Sequence, residues 1–146
     1  MTPVDRAVIE RKLAVIVENL RALEVVRGVT AERFGQDVYL RKATERLLQE
    51  LIESAIDINT HLIVGSGGTA PDDYYDSFIQ SGRKGILSSE LAEALAPSAG
   101  LRNRLVHEYD VLDQALVLAS AGKTLLLYPR FVEAVERYLS GSTSAS

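Results

Sequence analysis

From Asp37 to Val64 the chain reads DVYLRKATERLLQELIESAIDINTHLIV, and the fold turns on this stretch. Leu40, Leu47, Leu51, Ala55, Ile58 and Leu62 keep helical spacing, while Leu48, Ile52 and Ile63 widen the apolar arc. Glu50, Ser54, Asp57 and His61 form a polar strip along one edge of that arc. An arc this wide needs much buried surface. Either a bundle core or a dimer interface can supply it, and the sequence leaves both open.

Upstream, about Val4 to Val26 reads as a second long amphipathic helix, with Ile9, Leu13, Ile16, Leu20 and Leu23 on one stripe. Thr2 is placed to cap it, Pro3 suits its first turn and Asp5 complements its dipole. Gly28 is its expected stop, and Thr30 opens a short turn through Phe34. Downstream, the run Gly65-Ser66-Gly67-Gly68-Thr69-Ala70-Pro71 is a loop. Asp72 or Asp73 caps a short helix holding Tyr74, Tyr75, Phe78 and Ile79, and Ser88 or Ser89 starts another through Leu95. Pro97 must kink that helix or begin a new one, which resumes to about His107. Asp113 caps a further helix, expected to weaken at Gly122 and to be interrupted near Pro129. Alternating strand patterns and internal repeats are absent. The expected architecture is all-α, an up-and-down bundle of about five helices with a kinked motif helix. Residues 1–139 form one domain in this reading, and 140–146 a disordered tail.

The composition narrows the function classes. With 146 residues, 47% apolar and 25% charged, the chain suits one soluble globular domain. No uninterrupted apolar run suggests a membrane span or a signal peptide, and no membrane partner is expected. Cysteine is absent, which removes disulfides, thiolate metal sites and cysteine nucleophiles. These features fit a cytoplasmic protein. A net charge of −4 argues against a general polyanion binder, so any nucleic-acid chemistry needs a local basic pocket.

Chemistry-bearing motifs are few. The glycine run lacks the Lys-Ser/Thr of a phosphate loop. Asp57 and His61, one turn apart, could form a metal arm, but a hydrogen-bonded polar edge is the simpler reading, and no metal or cofactor is expected. There remains Arg102-Asn103-Arg104-Leu105-Val106-His107-Glu108-Tyr109. Arg102 offers a fixed cationic fork suited to phosphate oxygens. His107 can exchange a proton near neutral pH. Asn103 lies one turn before His107, where its amide could orient the imidazole, and Arg104 is a candidate phosphate contact.

Arg102, four intervening residues, His107, one more and Tyr109 match the Arg-x4-His-x-Tyr signature, and here the sequence resembles the HepT-like HEPN toxins. The Leu95–Leu101 lead-in and the polar residues Glu53, Asp57, Asn59 and His61 on the long helix extend the likeness to about Leu139. The resemblance implies a homodimeric helical bundle whose two motifs face a shared cleft. It implies metal-independent RNA cleavage by Arg102 and His107, with Glu53, Asp57 and His61 as a supporting polar set. It further implies an MNT-type nucleotidyltransferase antitoxin that silences the toxin by transferring AMP to Tyr109.

Plainer roles stand beside these. Arg102 could form a core-edge salt bridge to an acidic residue such as Asp57, and His107 could cap a helix end. Tyr109 could pack at the bundle edge, and Tyr74, Tyr75 and Phe78 read as core rather than as base-stacking groups. A non-catalytic helical subunit that binds the nucleotidyltransferase is the alternative function. One geometric difficulty is visible already. On an unbroken helix Arg102 and His107 stand about 140° apart, so convergence across a dimer is favoured over convergence within one chain.

Overall fold

The computed structural model describes residues 4–144, with side chains through Gly141. Seven α-helices account for most of these residues: α1 (Arg6–Leu23), α2 (Ala31–Gln36), α3 (Val38–Gly65), α4 (Tyr74–Arg83), α5 (Ser89–Leu95), α6 (Ser98–His107) and α7 (Gln114–Ser144). A 3-10 turn, Glu24–Val26, follows α1, and no strand occurs among the described residues. The count exceeds five because α2 is a full short helix and because Pro97 separates α5 from α6 instead of kinking one rod.

Local chemistry sets most boundaries. Thr30 Oγ1 accepts from Arg33 N (3.1 Å), Asp37 Oδ1 from Leu40 N (2.9 Å), Asp73 Oδ1 from Asp76 N (2.7 Å) and Ser88 Oγ from Leu91 N (3.1 Å). Each side chain satisfies a donor that the first helical turn leaves unpaired. The cap expected from Thr2 and the Pro3 first turn lie outside the described residues. In the structure Asp5 caps α1, accepting from Ala7 N and Val8 N. Gly28 and Gly67 take positive φ (74° and 91°) where the chain reverses after α1 and α3.

The long helices α1, α3 and α7 pack on one another. Ile9, Leu13 and Ile16 of α1 and Leu48, Leu51, Ile52, Ile58, Leu62 and Ile63 of α3 are buried between them and their neighbours. α4, α5 and α6 form a smaller layer, of which α4 and α6 lean on α3 and α5 reaches α7. This settles the wide arc of α3: α1, α2, α4, α6 and α7 all pack against it, and the core of a single chain buries it.

α7 departs from expectation. It runs unbroken through Gly122 and Pro129, where the sequence predicts weakening and a break. Val117, Ala121, Leu125, Tyr128, Phe131, Val135 and Leu139 are all buried and keep one register along its length. Packing on both sides of Pro129 outweighs the roughly 3 kcal/mol that an interior proline costs a helix. The helix also passes Leu139 and reaches Ser144, so the expected tail at 140–144 is helical, while residues 145–146 lie outside the described residues. By length and composition Gln114–Gly141 would suffice to cross a bilayer, which the sequence reading does not anticipate. Its stripe is instead buried against α1, α2, α3 and α5.

Candidate active site

α6 carries the motif from Arg102 to His107, and Tyr109 lies in the turn beyond it. Ala99 and Leu105 are buried and fix how α6 sits on the bundle. That rotation directs Arg102 toward α3 and α4. Its Nε donates to Glu53 Oε1 at 3.1 Å, and its guanidinium carbon lies 4.9 Å from the centre of the Tyr74 ring. Asn103 Oδ1 accepts from Nη1 at 3.3 Å. The Arg102 side chain is thus 18% exposed: held, but reachable from solvent. Gln49 Nε2 donates to the same Glu53 oxygen at 3.2 Å, which fixes the carboxylate in turn.

The ion pair envisaged for Arg102 therefore exists, with Glu53 rather than Asp57 as partner. Asp57, one turn further along α3, instead meets Lys12 Nζ of α1 at 3.0 Å. His61 Nε2 accepts from Asp5 N at 3.2 Å. With Asn19 Nδ2 donating to Glu50 (3.2 Å), these contacts assign the polar strip of α3 to the α1 seam. Of the three residues expected to support the motif, Glu53 touches it; Asp57 and His61 have their partners at α1. Asn59 is buried and donates to Ser77 Oγ at 3.3 Å, tying α3 to α4. Asn103 also differs from expectation, because its amide holds the Arg102 guanidinium and makes no hydrogen bond to His107 among the described residues.

His107 is the last residue of α6 and is exposed. Because α6 is unbroken from Arg102 to His107, the angle of about 140° and a rise of about 7.5 Å separate the two residues along the helix. Tyr109 is 61% exposed, and Lys42 Nζ lies 5.9 Å from the centre of its ring. Arg104 points to the other flank of α6, where it lines a cleft shared with α7. Among the described residues, no three His, Cys, Asp or Glu side chains are grouped so as to hold a metal ion.

Sequence reasoning missed Tyr74, Gln49 and Lys42. Tyr74 and Tyr75 read as core, yet both are exposed and Tyr74 lies against Arg102, while Phe78 of the same helix is fully buried as expected. Nothing in the local pattern marks Tyr74 or Lys42, whose contacts join distant stretches of chain, whereas Gln49 stands one turn before Glu53 on α3 and is open to an i, i+4 reading.

The geometry is a half-buried arginine and an exposed histidine on one short helix, with an exposed tyrosine just beyond. Comparison with known proteins gives this arrangement a family. The chain belongs to the HepT-like family: the model described as "Ribonuclease HepT-like" matches residues 16–137. A tRNA nuclease HepT from Aphanizomenon flos-aquae is 36% identical over 139 residues, 95% of each chain. An mRNA nuclease HepT from Shewanella oneidensis is 26% identical over 129 residues, 88% of this chain and 96% of the relative. A solved structure of a tri-AMPylated Shewanella oneidensis HEPN toxin in complex with an MNT antitoxin superposes with a TM-score of 0.80 at 26% identity, covering 89% of this chain and 97% of that one. The helical HEPN fold expected from the sequence is thereby confirmed.

Proposed function

We propose that this chain is the toxin of a toxin–antitoxin pair, a metal-independent endoribonuclease that acts in the cytoplasm as a homodimer. The observation that carries the reading is the contrast on α6 between a guanidinium held at the surface and an imidazole free to meet a substrate. Arg102 uses Nε for Glu53 and Nη1 for Asn103; Nη2 makes no hydrogen bond among the described residues and faces an incoming phosphate. Charge-assisted bonds from this group stabilise the negative charge that builds on phosphorus as the ribose 2′-hydroxyl attacks. His107 takes the 2′-hydroxyl proton or returns one to the leaving 5′-oxygen, a role worth roughly 10²–10⁴-fold. One histidine supplies half of an acid–base pair, and a second protomer supplies the other half. The 140° between Arg102 and His107 fits the same arrangement, with the arginine of one copy facing the histidine of the other.

An MNT-type nucleotidyltransferase is the proposed antitoxin, and Tyr109 its target. An exposed phenol beside Lys42 suits AMP transfer: its oxygen attacks the α-phosphorus of ATP, the bond to the β-phosphate breaks, and pyrophosphate leaves. The added phosphodiester brings bulk and negative charge next to the motif, which excludes an RNA phosphate.

The test is expression of the chain alone, with Arg102→Ala and with His107→Ala. Growth arrest and RNA fragments from the intact chain, lost in both variants, support the nuclease. Harmless expression, together with intact tRNA and mRNA after incubation with purified protein, overturns it. The non-catalytic partner subunit is then favoured, a reading for which the Arg102–Glu53 pair already offers a structural role. Mass spectrometry after incubation with a cognate nucleotidyltransferase and ATP tests Tyr109, and Tyr109→Phe should abolish the mass increase.

A further inference from the structure

Opposite the Glu53–Arg102 flank, α6 borders a cleft of about 420 Å³ that it shares with α5 and α7, a size within the range of small-ligand sites. Its character is unusual for a protein of net charge −4. Arg104 and Lys123, both exposed, stand in its walls, and neither forms an ion pair among the described residues. Leu101 and Leu127 supply apolar surface in the same walls. Tyr128 lies in the wall, 1% exposed, with its hydroxyl oxygen fully buried beside the Ser98 side chain. That hydroxyl is closed off from the cleft, so what the cleft offers a ligand is the cationic pair and the apolar wall. Gly100 keeps that space open: a Cβ built there would meet nothing within 4 Å. No packing demand explains a glycine at this helical position, where alanine would favour the helix.

We infer that this cleft binds a nucleotide of the RNA strand next to the one that is cut, its phosphate between Arg104 and Lys123 and its base against Leu101 and Leu127. The inference rests on the nuclease reading for the identity of the ligand. Geometry connects the two sites, for Arg104 and His107 stand about 60° apart and about 4.5 Å along the same helix. A strand with one linkage at His107 therefore continues onto the flank where Arg104 lines the cleft. The cleft is also the local basic pocket that an acidic protein needs in order to hold RNA.

The probe is a short fluorescent RNA with every 2′-hydroxyl methylated, which can bind but cannot be cut. Its anisotropy is read with the intact full-length chain and with Lys123→Gln, Gly100→Leu and His107→Ala; unmodified RNA is cut in parallel. Lys123→Gln should raise Kd about tenfold, the scale of one charge-assisted bond, and raise KM while sparing kcat. Gly100→Leu fills the cleft with a residue that favours helix and should abolish binding, while His107→Ala should leave Kd within about twofold. If both cleft variants bind and cut like the parent while cleavage still needs His107, the inference falls and the nuclease stands. If the methylated RNA binds in a Lys123-dependent way but nothing is cut, the cleft stands and the nuclease falls. Should Gly100→Leu convert a dimer to a monomer with RNA binding intact, a second copy occupies the cleft and the inference is overturned.

Discussion

On the flank of α6 that faces α3 and α4, Leu105 is buried and Arg102 is held by Glu53, Asn103 and the Tyr74 ring. At the C-terminal end of the same helix, His107 projects into solvent and Tyr109 follows it there. Ten residues of helix thus join a flank packed against the bundle to an end open to solvent. The difference teaches that one motif spans two environments, a guanidinium whose place depends on packing and an imidazole whose place does not. Losing the packed Leu105 should cost stability first, losing the exposed His107 should cost the proposed activity alone, and losing Arg102 should touch both.

The sharpest contrast pairs His107→Ala with Leu105→Ala. The histidine variant should lose roughly 10²–10⁴-fold in RNA cleavage with its urea midpoint unchanged. The leucine variant should lose about 2–5 kcal/mol of stability, measured by urea titration. Equal destabilisation by the two would erase the contrast.

Next in size is a pH effect on the cleft side of α6. Burial holds the Tyr128 hydroxyl protonated well above the ordinary tyrosine range. An unfolded chain releases that proton near pH 10. Below about pH 10 the contribution is fully present; above it the unfolded state binds fewer protons, and stability falls by about 1.4 kcal/mol per pH unit. Denaturant titrations between about pH 9 and 11 should show this slope, and Tyr128→Phe should flatten it.

A smaller effect is expected of Glu53→Gln. The pair it forms with Arg102 is partly solvent-exposed, so the loss should stay below about 1 kcal/mol. A loss of about 3 kcal/mol or more would place the pair with deeply buried ones and break the picture of an accessible guanidinium. Smallest of all, Gly100→Ala should stabilise the fold by roughly 0.5 kcal/mol, visible as a small rise in Tm. Destabilisation by that single methyl would show that the cleft wall has no room.

Helix starts were legible because they are local events. Thr30, Asp73 and Ser88 open helices where their sequence positions predict, since an oxygen three residues before an amide needs no tertiary help; Asp37, read as the first residue of its helix, is its cap, and Asp5 caps α1. α7 shows the opposite case. The cost of Pro129 is local and visible, while the burial of Tyr128 and Phe131 that outweighs it depends on helices elsewhere in the chain. At the site, Arg102 and His107 stood out by residue type and spacing. Their surroundings did not: Glu53 and Asp57 are one turn apart on α3, equally acidic, and only the rotation of α6 decides that Glu53 receives the guanidinium and Asp57 the Lys12 ammonium.

Pro129 has a further consequence for motion. With no amide hydrogen at that residue, the Leu125 carbonyl lacks its usual helical donor, and the backbone ladder of α7 carries a gap halfway along. Excised as a peptide, α7 would separate there into two independently fraying segments. Within the domain its continuity is borrowed from neighbours, so amide exchange around residues 126–131 should report on the docking of the whole bundle rather than on α7 itself.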